Sequence, residues 1–516
     1  MNKTRMQLLY RLFLILFFTV SLSVSFAADS TSGFEKIKDS IVETTLENGL
    51  KLIILPRREA PAVSMVTWVN VGGSDDPKEA TGIAHMFEHM AFKGTDDIGT
   101  TDPEAEKAAM KKEDILFDAI RREKAKGRKA DPRVIEDLEK KFQKAVDEAF
   151  SYVIPNRFSN ILEEEGAEGL NAYTSRDQTA YIMSMPSNKL ELWIAMESER
   201  FYRPRLRDMY REKVVVSEER RMTVENRPTG RLYEEFLSAA YKAHPYGQPI
   251  VGHMSDIENY NRHDSEAFYR KYYTPANMTV VIVGDAEPEK TIELVKKYWL
   301  RIPAGEAARR ITTVEPPQTA ERTVTLYDKS QPYCMIGWHI PEGTHEDIPA
   351  LEAMTAILGQ GRTSRLYKKL VLQEKIAVAA GAFAGFPGTK YPSLAVSAFY
   401  PAPGKTNVEC RELLYAEIER MKTEPVTQEE LDKVKTRASV SFLRGIENDL
   451  DFAEALASYQ QLWGDWRELF NETARIEAVT QEDIMRVANK YFTRDNRTVA
   501  SIETEVAEVS EEGESK

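Results

Sequence analysis

Three residues of the sequence are spaced to do chemistry together: His85, Glu88 and His89, in the run His85-Met86-Phe87-Glu88-His89. On a helix, residues four apart project from one face, so the two imidazoles can grip a single ion. Glu88 falls on the flank of that face, near the ion's open position. There it could take a proton from a zinc-activated water, whose pKa the metal lowers to about 7. Zinc in such a site takes a third protein ligand, and a carboxylate suits it. The bland alternative is two histidines solvated on a helix. With only Cys334 and Cys410 in 516 residues, neither a disulfide scaffold nor a Cys-rich zinc module is available. Any metal must therefore be held by histidines and carboxylates.

The elements around the motif read as mixed α and β. Val42 to Pro56 reads as two strands about an Asn48-Gly49 turn, and Val63 to Val71 as a third, largely apolar strand. A helix carrying the motif follows, from about Glu79 to Phe92. Residues 101–150 are charged, with helical periodicity and a break at Asp131-Pro132, which reads as a helical hairpin. Asn171 to Met185 returns to β, then Leu190–Tyr202 and Tyr210–Glu225 read as helices. A repeat comes next: KYYTPANMTV from Lys271 matches KYFTRDNRTV from Lys490 at six of ten positions. The expected fold is α+β, two related sheet-plus-helix halves enclosing a cavity, with a charged helical insertion at about 101–160 in the first half. The expected divisions are a first domain at 40–302, a linker at 303–319, a second domain at 320–502 and an acidic tail at 503–516.

Composition narrows the class without naming a substrate. The 69 Lys plus Arg against 82 Asp plus Glu give a net charge of −13, which provides no basic excess to neutralise nucleic-acid phosphates. At 42% hydrophobic and 29% charged, the chain has ordinary globular usage. Lys3, Arg5 and Arg11 precede an apolar run from Leu12 to Phe26, and Ser25-Phe26-Ala27 fits a cleavage site. Residues 1–27 are therefore expected to be a signal peptide, with the run too short for a stable membrane anchor. The expected location is a bacterial periplasm, with a secreted or signal-anchored form as the alternative. An oxidising compartment permits a Cys334–Cys410 disulfide, but two separate buried thiols are favoured.

GIAHMFEHMAFKGT resembles the active-site helix of the pitrilysin/insulinase family, the inverted zinc metallopeptidases. The resemblance extends through Asn171-Ala172-Tyr173-Thr174, His244-Pro245-Tyr246-Gly247, YYTPANMTVVIVGD and Gly361 to Tyr367. It implies one Zn2+ per chain, held by His85, His89 and a glutamate on a further helix. In the family that helix carries two glutamates seven residues apart, and Glu212 and Glu219 have that spacing. The resemblance makes Glu219 the third ligand, in preference to the adjacent Glu218, and Glu212 the acid that orients the site. Glu88 becomes the catalytic base, and Asn171 with the backbone of Ala172 the place where an extended peptide pairs. For Asn171 a plain strand-end role is equally open. His244 and His253 are expected to pack loops.

Two departures from the family stand out. His89 and Glu219 lie further apart in the chain than is usual, and the charged hairpin accounts for the excess. A surface insertion there could lie over the cleft or engage a partner. Active members also place an Arg and a Tyr seven residues apart in the second half, where this sequence has Val371 and Val378. Arg365 and Tyr367, close by, are expected to be structural. The chain thus resembles the zinc-bearing subunit of a two-subunit bacterial member related to mitochondrial processing peptidase, whose homologous partner supplies Arg and Tyr. The implied function is endopeptidase cleavage of peptides or unfolded segments. The alternatives are a non-catalytic assembly subunit and a self-sufficient homodimeric peptidase.

Overall fold

A computed structural model of the chain describes residues 35–505, so the expected signal peptide and most of the expected acidic tail lie outside the described residues. The Asn48-Gly49 turn joins β1 (Val42–Thr45) to β2 (Lys51–Pro56) in an antiparallel pair. With β3 (Ala62–Val69), β4 (Glu168–Thr174), β5 (Thr179–Pro186) and β6 (Met278–Gly284) they form a sheet in the order β1-β2-β6-β3-β5-β4. The second sheet comprises β7 (Arg322–Asp328), β8 (Tyr333–Ile340), β9 (Ala377–Phe386), β10 (Ser393–Pro401) and β11 (Arg497–Thr504). Its order is β7-β11-β8-β10-β9. Without β1 the two sheets have the same strand order. Each has one parallel pair, β2 with β6 and β7 with β11, and is otherwise antiparallel.

The repeated peptide sits at equivalent places, leading into β6 and β11. Its shared asparagines do the same job: the Asn277 and Asn496 side-chain amides donate to the carbonyls of Tyr272 and Tyr491, each at 2.8 Å. The chain is α+β with two homologous halves and a charged helical hairpin inserted in the first.

The central strands β2, β3, β6, β8, β10 and β11 are buried on both faces and read as largely apolar runs, whereas the edge strands β4, β7 and β9 carry exposed residues. Side chains alternate faces along β2: Leu52 and Ile54 enter the core beneath the motif helix, while Ile53 and Leu55 enter a second core. That second core is completed from the other half of the chain, by Phe452, Leu456, Trp466 and Leu469. The exchange is reciprocal. Helix Pro228–Ala240 of the first half places Leu232 and Phe236 against Met335, Ala500 and Ile502 of the second sheet.

The motif helix spans Ile83–Met90, shorter at both ends than the expected Glu79–Phe92. Gly82 ends the preceding turn at φ 84°, and a Cβ there would meet the Val251 carbonyl oxygen at 2.2 Å, so the helix starts after it. The Asp76 carboxylate accepts from the backbone N–H of Gly82 at 2.7 Å and of Ala84 at 3.0 Å, satisfying the helix's first donors. The expected helix to Glu225 is α-helical over Met209–Arg220 and continues as a π turn over Arg221–Glu225. The hairpin consists of helices Pro103–Lys124 and Pro132–Phe150, capped by Asp102 and Asp131.

Residues 303–319 carry neither helix nor strand. One boundary moves: Glu503 and Thr504, expected in the acidic tail, are the last residues of β11, because they still pair with Tyr327 and Asp328 of β7. Cys334 and Cys410 are both buried and free; the Cys410 thiol donates to the Ile376 carbonyl at 3.2 Å. No helix among the described residues is long and apolar enough to cross a membrane.

Candidate metal centre

The motif helix and helix Met209–Arg220 bring His85, His89 and Glu219 together, with one ligand atom from each lying within 4.8 Å of the others. The Nε2 atoms of His85 and His89 each stand 3.6 Å from a different oxygen of Glu219. Donors at about 2.0–2.2 Å around a tetrahedral zinc lie roughly 3.3–3.6 Å apart, so these spacings fit that ion. Two imidazoles and a carboxylate are also its ordinary donor set. Glu218, one residue away, points elsewhere and pairs with Arg221.

Glu212 meets the other side of His89, with its Oε1 2.9 Å from Nδ1. A proton on Nδ1 donated to this carboxylate leaves Nε2 free to face Glu219. The second oxygen of Glu212 takes a short contact from Lys93, which also lies 3.7 Å from Asp208. By contrast, His85 Nδ1 is buried and finds no hydrogen-bond partner among the described residues.

The protein's own charges polarise the pair of histidines. Burial, and then repulsion from His89, hold His85 down to about 4. Burial also acts against the charged form of His89, but hydrogen bonds to Glu212 and Glu219 outweigh it and lift that group to about 9. Burial would raise Glu212, yet His89 and Lys93 hold it down to about 2. The hydrogen bond from His89 lowers Glu219. A divalent cation at the two Nε2 atoms would therefore compete with the His89 proton, making its affinity fall with acidity.

Glu88 sits beside this group with its Oε2 accepting from Thr174 Oγ1 at 2.6 Å. Burial raises its carboxyl above the ordinary range, against the pull of that hydrogen bond. Thr174 ends β4, the edge strand of the first sheet. Asn171 and Ala172 lie on the same strand, paired inward to Ile182 and Tyr181, so the strand's other edge is open. Glu88, His89, Asn171 and Ala172 all line one cavity of about 880 Å³.

His244 and His253 stand apart from the centre: His244 accepts from Tyr246 N–H at 3.2 Å within an aromatic cluster, and His253 lies 3.7 Å from Glu234. Arg365 forms a two-pronged pair with Glu430 at 2.8 Å on each arm. Val371 packs against the core of the second half, which holds Leu351, Leu366 and Leu414, and Val378 is half exposed on β9.

Two residues at the centre were not singled out by sequence reasoning. Lys93 lies just past the end of the motif helix, four residues after His89, where the sequence alone did not pair it with Glu212. Thr174 stood inside the noted Asn-Ala-Tyr-Thr strand, but nothing in the sequence paired it with Glu88.

Comparison with known proteins converges on one family. Residues 52–111 and 152–253 match Insulinase (Peptidase family M16), and residues 259–438 match the Peptidase M16 inactive domain. A zinc protease, PqqE, of Helicobacter pylori is 28% identical over 87% of this chain and 89% of its own. A probable mitochondrial-processing peptidase subunit beta of Arabidopsis thaliana is 23% identical over 87% of this chain and 76% of its own. The crystal structure of a protease from Helicobacter pylori superposes with a TM-score of 0.75 at 25% identity, covering 90% of this chain and 99% of that one. With the duplicated fold and the inverted motif on its helix, the chain belongs to the insulinase family of peptidases, family M16.

Proposed function

We propose that the chain is a zinc-dependent endopeptidase that hydrolyses peptides or unfolded polypeptide segments. The observation that carries this reading is Glu88 held beside the His85, His89 and Glu219 cluster, in a cavity whose wall is an open strand edge. In this reading His85, His89 and Glu219 hold one zinc, and Glu212 fixes the orientation of His89. When bound, zinc supplies Lewis-acid polarisation of water and of the scissile carbonyl. The Glu88 carboxylate takes a proton from the attacking water and returns it to the leaving amine, and Thr174 Oγ1 keeps that carboxylate aimed. An extended substrate adds to β4 at Asn171 and Ala172 through backbone groups, which tolerates many sequences.

The chain is further proposed to be the catalytic member of a two-subunit enzyme, with a homologous partner supplying Arg and Tyr; a homodimer is the alternative. Val371 and Val378, which stand where those side chains are expected, favour this over self-sufficiency. A non-catalytic assembly role is the reading that inactivity would restore. Export to the periplasm rests on the segment 1–27 of the sequence. The test is hydrolysis of a quenched peptide by the purified chain, alone and with a homologous Arg/Tyr-bearing subunit. Activity lost to a chelator and restored by zinc supports the reading. No hydrolysis in either preparation, at full zinc content, overturns it.

A further inference from the structure

The family match skips residues 112–151, the greater part of the charged hairpin. Its second helix nevertheless forms one wall of the cavity that Glu88 and His89 line. Phe142, Val146 and Phe150 recur every fourth residue along helix Pro132–Phe150, making one apolar stripe. Only Phe142 of the stripe also meets an aromatic ring of the partner helix, Phe117 at 5.6 Å, while Ala149 packs with Ala109 and Met110 of that helix. The stripe lines the cavity, together with Ile154, in the company of Glu88, His89 and Asn171. The helix's charged pairs, Lys140 with Glu136 and Lys141 with Asp137, are exposed.

This wall is mounted rigidly on the centre itself. Tyr210, on the helix that carries Glu212 and Glu219, stacks with Phe117 and Phe142 at ring separations of 4.7 and 5.1 Å. Buried Arg262 bonds Glu113 at 2.5 Å and Asp114 at 2.6 Å, and buried Arg207 bonds Glu106 at 2.7 Å. Breaking such a pair would leave a buried charge uncompensated, so the first hairpin helix stays in place.

We infer that the hairpin builds a specificity subsite, in which Phe142, Val146, Phe150 and Ile154 receive a large apolar side chain of the peptide next to the bond at the metal centre. The inference rests on the peptidase reading and adds a substrate class to it: segments bearing Leu, Phe or similar residues, as unfolded chains expose and folded surfaces hide. A carboxylate or amide placed against Phe142, Val146 and Ile154 would lose its hydration, and Arg211, which lies over the Phe150 ring at 3.8 Å, borders the subsite as its polar neighbour. The cavity's volume of about 880 Å³ suits a bound peptide segment, and its exposed polar residues Asn156 and Glu163 give it a wet rim.

The test is binding, which does not depend on turnover. Zinc-loaded Glu88→Gln protein is titrated into fluorescent peptides identical except for one central residue: Phe, Leu, Ala or Glu. The Phe and Leu peptides are expected to bind about 10-fold or more tighter than Ala or Glu, the usual discrimination of an apolar pocket. Ile154→Trp, at an exposed position, fills the subsite, and Phe150→Ala opens it; each added to the Glu88→Gln chain should cut that preference to about 3-fold or less. Equal affinity for the four peptides, or a preference untouched by both variants, overturns the inference. The preference persisting while the unsubstituted chain cleaves none of these peptides would support the subsite and count against the peptidase reading alone.

Discussion

The two halves of this chain share a sheet and differ in chemistry. After β3 the first half places the helix Ile83–Met90, with His85, Glu88 and His89; after β8 the second half places the helix Ile348–Gly359 in the same topological position, and it carries no histidine. The next comparable helices, Met209–Arg220 and Gln428–Glu447, each bring a first-turn glutamate inward. In the first half Glu212 meets His89 and Lys93; in the second Glu430 meets Arg365. Both carboxylates are held down to about 2 despite burial, one mainly by the His89 imidazole, itself a candidate metal ligand, and the other mainly by Arg365. The same scaffold position thus meets a candidate metal ligand, His89, in one half and pairs with an arginine in the other. Site chemistry is grafted onto a fold and is not a property of it.

The largest effect expected from breaking the comparison is at Glu88. Glu88→Gln should lower kcat by about 10²–10⁴, the range for removing a general base, with zinc content unchanged. A comparable loss from Glu352→Gln, on the equivalent helix of the second half, would dissolve the asymmetry.

The reciprocal exchange of helices makes the opposite claim, that for stability the halves are alike. Phe452→Ala and Phe236→Ala each remove a fully buried ring from a core built by both halves. Each should cost about 3–5 kcal/mol and shift a single denaturation transition. Two separated transitions in denaturant would show that the halves fold independently.

Glu212→Gln should weaken zinc about 10–100-fold, as loss of a residue that orients a metal-bound histidine does, whereas Glu430→Gln should leave zinc affinity unchanged. Isothermal titration with zinc separates the two. The smallest expected effect is in acid. Glu430 is depressed in the folded state from 4.5 to about 2, so its contribution to stability is present above 4.5 and is lost as pH falls toward 2. Glu430→Gln should be less stable at neutral pH, with the gap closing across that window in denaturant titrations.

Much of this asymmetry was legible in the sequence, because its carriers are local. His85, Glu88 and His89 lie within one turn and a half of helix, and the Asn48-Gly49 turn fixes its own hairpin. The duplicated asparagines, Asn277 and Asn496, mark the equivalent strands because each cap is built within a few residues. What was hidden depends on long-range packing. Nothing near Thr174 announces that its hydroxyl bonds Glu88, 86 positions away. The exchange of Phe236 and Phe452 between halves is invisible to periodicity, which shows that a face is buried but not by what. The role of the hairpin was open for the same reason: periodicity shows that Phe142, Val146 and Phe150 share a face, not that this face lines the cavity of Glu88 and His89.

The central claim is that the first half alone builds one metal centre from His85, His89 and Glu219. It is tested most directly by counting zinc atoms per chain in three proteins: the unsubstituted chain, Glu219→Gln and Glu218→Gln. The account predicts one zinc per chain in the first and third and a strong loss in the second. Equal zinc in the two variants, or two zinc atoms in the unsubstituted chain, would contradict it.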